Sequence, residues 1–197
     1  MLPPTPLFTL SYTGINGGLV LVSADDPGMH SSQNEQDNRI YARFAKIGLL
    51  EPSDSQEAKD MVGHALEISE RFDVPIMLRT TTRISHSKSL VKLGNSAPRP
   101  LKDYVKNPRK YVAVPANAKV RHKFVEQRLQ AMAAFSETTE LNRIEWGDKK
   151  IGVVTSGIVY QYVKEALPEA SVLKLGYTNP LPLQKIADFA AAVEELW

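Results

Sequence analysis

The chain has 197 residues, is 43% hydrophobic and 23% charged, and carries a formal net charge of +2. That is enough sequence to bury one full core or two small ones, and the composition excludes disorder of the chain as a whole. The near-zero charge gives no field suited to nucleic acid or an anionic membrane, and no apolar run approaches the length of a membrane span. Cysteine is absent, which excludes disulfides, thiolate catalysis and any iron–sulfur cluster ligated by this chain.

The first region runs from the N-terminus to about Leu93. Met1 to Pro6 lacks the basic start and long apolar core of a signal peptide, so the expected location is the cytoplasm. Leu7 to Tyr12 reads as the end of a helix closed by Gly14. Gly14, Gly17 and Gly18 invite a phosphate-cradle reading, but they precede the next strand instead of following it, so a helix stop and turn fits better. Gly18 to Ser23 reads as a strand. It leads into a long polar row from Asp25 to Arg39, after which Arg39 to Ala45 reads as a helical turn. Ile47 to Leu50 is a short apolar strand. Ser53 with Gln56, or Asp54 with Glu57, has the spacing of a helix cap. Ala58, Met61, Val62, Ala65, Ser69 and Phe72 then recur at helical intervals. Asp73 and Val74 end that helix, Pro75 to Leu78 form the next strand, and Arg79-Thr80-Thr81-Thr82-Arg83 follows. Strand–helix–strand alternation predicts a parallel sheet flanked by helices. If the strands are parallel, both polar rows lie on one rim, where open α/β sheets bind ligands.

The middle region, 94–147, is punctuated by Pro98, Pro100, Pro108 and Pro115 and reads as a surface connector. A helix is expected from Ala118 to about Leu141, with Val120, Phe124, Ala131 and Phe135 on its apolar face. Its basic residues (Lys102, Lys106, Arg109, Lys110, Lys119, Arg121, Lys123, Arg128) raise an RNA-binding reading. Glu126, Glu137 and Glu140 argue instead for a solvated connector with a partner-facing helix. The third region, 148–197, offers a strand at Ile151 to Val154, a turn at Thr155-Ser156-Gly157, and a helix from Ile158 to Leu167 with Ile158, Tyr162 and Ala166 on one face. A strand at Ser171 to Leu175 and a final helix from Leu183 to Leu196 follow. This is a second α/β unit with only two or three strands.

The polar rows carry the candidate chemistry. His30 suits general acid–base work or hydrogen-bond donation to a substrate, and equally suits a loop histidine bonded to a backbone carbonyl. Ser31 and Ser32 lack the glycine spacing of a nucleophile elbow. Asp25, Asp26, Glu35 and Asp37 fit no common calcium loop, and His64, His86 and His122 have no second ligand at metal spacing, so no metal site is expected. Arg79 and Arg83 suit a carboxylate held bidentately. Either arginine equally suits an ion pair with Asp26, Glu35 or Asp37 across the rim.

Longer strings then resemble a known family. Tyr12-Thr13-Gly14-Ile15-Asn16-Gly17-Gly18-Leu19-Val20, Ala24-Asp25-Asp26-Pro27 and His30-Ser31-Ser32-Gln33-Asn34-Glu35-Gln36-Asp37 are similar to the alpha subunits of indolepyruvate:ferredoxin oxidoreductases. So are Leu50 to Ala58, Leu78 to Ser87, Asn107 to Tyr111 and Pro115 to Ala118, and the likeness spans essentially the whole chain.

The resemblance implies an α/β thiamine-enzyme fold. Residues 1–93 would be the later part of a pyrimidine-binding domain, 94–147 a linker with a helix, and 148–197 the start of a transketolase C-terminal-like unit. It implies oxidative decarboxylation of aryl 2-oxo acids such as indolepyruvate to acyl-coenzyme A, with electrons passed to ferredoxin. The cofactors implied are thiamine diphosphate with Mg2+, and iron–sulfur clusters on parts absent from this chain. The partners implied are the remaining parts of the alpha subunit, a second oxidoreductase subunit, ferredoxin and homo-oligomer contacts, with no nucleic acid and no membrane. His30 becomes the candidate catalytic residue. Asp26, Ser31, Ser32, Gln33, Asn34, Arg79 and Thr81 become candidates to face substrate or cofactor. The cofactor-activating glutamate and the magnesium motif are expected outside this chain, so the piece alone is expected to be inactive. The alternative is a non-catalytic assembly module that keeps only the subunit's dimer surface.

Overall fold

The computed structural model describes residues 4–94 and 101–197. Met1 to Pro3 of the N-terminal reading, and Pro98 and Pro100 of the connector, lie outside the described residues. Helix α1 (Pro4–Thr13) ends at Gly14, whose φ of +75° is the left-handed conformation that glycine adopts without strain. Strand β1 (Val20–Asp25) begins two residues later than its apolar pattern. Gly18 N donates to Glu70 and Leu19 N to Ser69 Oγ (3.0 and 2.9 Å), so these amides are spent on side chains. Helix α2 (Arg39–Ala45), strand β2 (Gly48–Leu50), helix α3 (Ser55–Phe72) and strand β3 (Ile76–Thr81) follow in the predicted order. The cap of α3 is the Asp54–Glu57 pair: Glu57 N donates to Asp54 Oδ1 at 2.8 Å, and the Glu57 carboxylate accepts from Ser53 N at 2.9 Å.

Strands β1 and β2 both pair in parallel with β3, which lies between them. The register sets Val20 beside Ile76 and Asp25 beside Thr81. The two polar rows therefore leave the sheet at the same rim.

Among the described residues, α4 (Thr82–His86), α5 (Pro108–Tyr111) and α6 (Pro115–Thr138) follow. The buried face of α6 differs from the expected one. Val120 and Phe124 are more than half exposed, while Val125, Arg128, Met132 and Ser136 are buried. Arg128 sets this rotation. It donates to Ser11 O at 2.6 Å and Asp73 O at 2.8 Å, drawing its own face of the helix inward. Burial pushes its guanidinium down to about 10.

Part of the basic connector is also turned toward the body of the fold, while Lys106, Arg109, Lys119 and Lys123 are exposed. Lys110 bonds Ile15 O and Asp73, Arg121 bonds Tyr12 O and Asp73, and Lys102 bonds Asn16 O. Asp73 additionally accepts from Ile15 N at 2.9 Å, and so clamps the connector to the turn after α1. Replacing Asp73 by Ala should cost about 2 kcal/mol of stability, since several charge-assisted bonds on a partly exposed carboxylate go together. Urea unfolding followed by circular dichroism measures this, and a midpoint equal to that of the parent chain would contradict the clamp.

The last region holds β4 (Asn142–Glu145), β5 (Asp148–Ser156), α7 (Val159–Ala166), β6 (Ala170–Leu175), β7 (Tyr177–Asn179), α8 (Leu183–Ala191) and β8 (Glu195–Leu196). Two features correct the sequence reading. The final helix stops at Ala191, not Leu196, and the chain then adds β8 parallel to β5. Trp197 N donates to Gly152 O at 2.8 Å, and Val154 N to Trp197 O at 2.9 Å. Gly152 also lets Val193, just before β8, pack closely on β5, because a Cβ there would meet the Val193 side chain at 2.7 Å. The second sheet thus has four strands, in the order β4-β6-β5-β8, rather than two or three.

The other feature is β7, which crosses to the first sheet and pairs antiparallel with β2, giving the order β1-β3-β2-β7. Tyr177 and Met132 are wholly buried in the first core, where the Phe135 ring lies 5.5 Å from both Phe72 and Tyr177. A smaller core of Leu173, Leu175 and Phe189 serves the second sheet.

Candidate active site

At the shared rim, Asp25 ends β1 and is wholly buried. Its carboxylate accepts from Asn38 N (2.7 Å), Asn38 Nδ2 (2.6 Å), Ser23 Oγ (2.9 Å) and Arg79 Nε (2.6 Å). Arg79 NH1 donates to Glu51 at 2.5 Å, and its NH2 lies 3.8 Å from Asp37. Of the two sequence readings of Arg79, the ion pair is the one found, with Asp25, Glu51 and Asp37 around it instead of Asp26 or Glu35. The guanidinium is consumed in holding β1, β2 and β3 together at their ends.

Asp26 sits in a clasp. It accepts from Thr82 Oγ1 at 2.5 Å and from Ser32 Oγ. These hydrogen bonds, first from Ser32 and then from Thr82, hold its carboxyl below the usual range. A depressed carboxyl contributes stability at neutral pH and loses it as pH falls through the lowered value. Ser32→Ala and Thr82→Val should each bring Asp26 back toward an ordinary carboxylate titration, read by NMR as a function of pH. An unchanged titration in both would refute the clasp.

Between the clasp's ends the loop turns through three consecutive left-handed residues, Gly28 (φ +78°), Met29 (+66°) and His30 (+43°). Two of these are not glycine, a conformation that side chains adopt at a cost and that clusters at binding loops.

The rim opens into a cleft of about 490 Å³. Of the sequence candidates, His30, Arg79 and Thr81 line it. Asp26 and Ser32 form the clasp beside it, and Ser31, Gln33 and Asn34 are exposed on the loop without lining it. Thr81 Oγ1 is buried with no hydrogen-bond partner among the described residues. Sequence reasoning missed the opposite wall, made by Ser156, Gly157, Ile158, Val159 and Tyr162. Its signal was present: Thr155-Ser156-Gly157 is a polar turn at the carboxyl end of a second parallel strand, the same placement that marked the first two rows. Ile158, at the N-cap of α7, supplies no side-chain cap hydrogen bond. Arg83 faces this wall with its guanidinium 5.9 Å from the centroid of the Tyr162 ring, and has no carboxylate partner among the described residues. The cleft therefore offers a cation without a carboxylate partner among the described residues, a helix start favourable to anions, and apolar surface from Ile84, Ile158 and Val159. Among the described residues, no group of three or more His, Asp or Glu is placed to hold a metal ion.

The fold has a counterpart among solved structures. It matches a chain of a 2-oxoglutarate:ferredoxin oxidoreductase from Magnetococcus marinus, solved with 2-oxoglutarate, coenzyme A and succinyl-CoA bound. The TM-score is 0.65 over 97% of this chain and 42% of that one. At 11% identity the likeness is one of fold. No family model matches the sequence. Curated relatives do, all of them under the name indolepyruvate oxidoreductase subunit IorA. That of Methanothermobacter marburgensis is 42% identical over 193 residues, that of Pyrococcus abyssi 44% over 200, and that of Archaeoglobus fulgidus 39% over 197. These matches take in 94%, 95% and 97% of this chain and only 31%, 31% and 32% of the relatives. Over nearly its whole length the chain is similar to indolepyruvate oxidoreductase subunits, and it spans about 31% of the length of the curated relatives it matches.

Proposed function

We propose that this chain forms one side of the substrate site in a 2-oxo acid:ferredoxin oxidoreductase acting on aryl 2-oxo acids such as indolepyruvate. The products would be carbon dioxide, an acyl-coenzyme A and reduced ferredoxin. The observation that carries the reading is Arg83: a guanidinium with no carboxylate partner among the described residues, beside an apolar wall, in a cleft shared by two sheets. A cation suits the substrate carboxylate, and the surface of Ile84, Ile158 and Tyr162 suits an aryl group. The His30 ring supplies a donor for the oxo group. Arg79, held by its three carboxylates, sets the rim on which these groups stand.

Thiamine diphosphate, when bound, supplies the carbon nucleophile and electron sink that make decarboxylation accessible. The residues here fit the substrate side of such a site. We assign its Mg2+, the iron–sulfur clusters and the cofactor-activating acid to polypeptide beyond this chain. Residues 1–93 would then be the later part of a pyrimidine-binding domain, 94–147 a linker, and 148–197 the start of a transketolase C-terminal-like unit. On this reading the piece alone is inactive and works in the cytoplasm beside the rest of its subunit, a second subunit and ferredoxin.

The test is reduction of ferredoxin by the intact enzyme containing this chain, supplied with coenzyme A and a series of 2-oxo acids. Preference for aryl over short aliphatic acids is expected, and the reverse order would overturn the aryl assignment. A second reading, an assembly surface including contacts between copies, is favoured by α2, where Ile40 is 65% and Phe44 70% exposed. Light scattering on Ile40→Asp and Phe44→Asp variants tests it, since a mass equal to that of the parent would count against it.

A further inference from the structure

The two walls of the cleft are reached by separate stretches of chain. One wall is the rim of β1, β2 and β3, and the other is the start of α7. A polar cluster outside the cleft lining ties them, centred on Glu57 in the first turn of α3. One Glu57 oxygen accepts from Ser53 N (2.9 Å) and Ser53 Oγ (2.8 Å), tethering the segment that presents Glu51 and Pro52 to the cleft. Its other oxygen accepts from Lys174 Nζ and from Arg143 (3.2 Å).

Lys174 lies on β6 with a wholly buried side chain, and its ammonium is 5.2 Å from the Tyr160 ring centroid. Tyr160 belongs to α7 and donates to Glu145 on β4 at 2.8 Å. Its neighbour Gln161 donates to Asp54, the cap of α3, at 3.2 Å. Helix α7 is thus fastened to the start of α3 at adjacent residues, and it carries Val159 and Tyr162 into the cleft. Burial pushes the Lys174 ammonium down, and Glu57 opposes that shift. An apolar side chain would fill the space without desolvating a charge, so the pair is a weak source of stability. It is a strong geometric constraint, because few arrangements satisfy both charges.

We propose that Glu57 and Lys174, with the Gln161–Asp54 bond, form the joint that sets the distance between the α7 wall and the Arg79–Arg83 rim, and so act as positioning residues for the carboxylate that Arg83 receives. The inference rests on the cleft being the 2-oxo acid site.

In the intact enzyme, Lys174→Met and Glu57→Gln should each raise KM for the 2-oxo acid about tenfold, with kcat within about twofold. The amides of residues 156–162 should exchange with deuterium faster in both. Gln161→Ala, on a partly buried side chain, should give the same pattern in smaller measure, and it keeps the test open if Lys174→Met does not fold. Unchanged KM and unchanged exchange in Glu57→Gln and Gln161→Ala, beside a raised KM in Arg83→Ala, overturn the joint and leave the site reading standing. Faster exchange in the joint variants with no change of KM in Arg83→Ala sinks the site reading, and the positioning role with it. Lower stability with KM unchanged, while Arg83→Ala raises KM, makes the pair structural only and also overturns the proposal.

Discussion

Replacing Arg79 by Met is expected to cost about 3–5 kcal/mol of folding stability, a large part of what a domain of this size possesses. The side chains of Arg79, Asp25 and Glu51 are 6%, 0% and 5% exposed. Removing the guanidinium leaves two buried carboxylates facing each other. Asp25 keeps its bonds from Ser23 and Asn38, whereas the Glu51 carboxylate loses the only side-chain hydrogen bond described for it. Arg79→Lys should recover less than half of the loss, because one ammonium does not reproduce a fork that reaches Asp25 and Glu51 together. Adding Asp25→Asn and Glu51→Gln to Arg79→Met should restore part of it by removing the uncompensated charges. Urea unfolding of the three variants measures all of this. A loss under about 1 kcal/mol in Arg79→Met would show that the cluster is not what fastens the strand ends, since only a surface pair is worth so little.

The Arg79 cluster also marks where sequence reading succeeds and stops. The positions of β1, α2, α3 and β3 were legible because each carries its own signal: an apolar run, a capping pair, a helical stripe. The shared rim followed from alternation alone. The partners of Arg79 were not legible, because a buried ion pair depends on which side chains three separate strand ends bring within 3 Å. Glu51 in particular has no local mark. Strands β4, β7 and β8 have two to four residues each, too few for a period of two to be read, and they exist because a neighbouring strand offers a free edge. Asn142 holds β4 in place by accepting from Gly176 N and Tyr177 N (3.0 and 2.9 Å), contacts across 34 and 35 residues that no local pattern encodes. The face of α6 was misread for a related reason. A periodicity argument counts Arg128 as polar and Phe124 as apolar, whereas the structure buries the arginine on two backbone carbonyls and exposes the ring.

The contrast between the rim's two arginines yields the second large effect. Arg83→Ala should raise KM for the 2-oxo acid about 30-fold in the intact enzyme, the worth of a charge-assisted hydrogen bond to a carboxylate. Stability should stay within about 0.5 kcal/mol of the parent, because Arg83 is exposed and its one described partner is the face of Tyr162. Arg79→Met should show the opposite signature: a large stability loss and, in whatever protein remains folded, a smaller change in KM. Arg83→Lys should lie between parent and Ala, since an ammonium keeps the charge but not the planar fork or its stacking on Tyr162. Tyr162→Leu separates the ring's two roles: it keeps apolar surface for the aryl group but removes the face that orients Arg83, so KM should rise only severalfold. Steady-state kinetics against 2-oxo acid concentration, paired with thermal unfolding of each variant, reads both columns at once. If Arg83→Ala binds the 2-oxo acid as tightly as the parent does, the carboxylate lies elsewhere and the cleft between the two sheets is not its site.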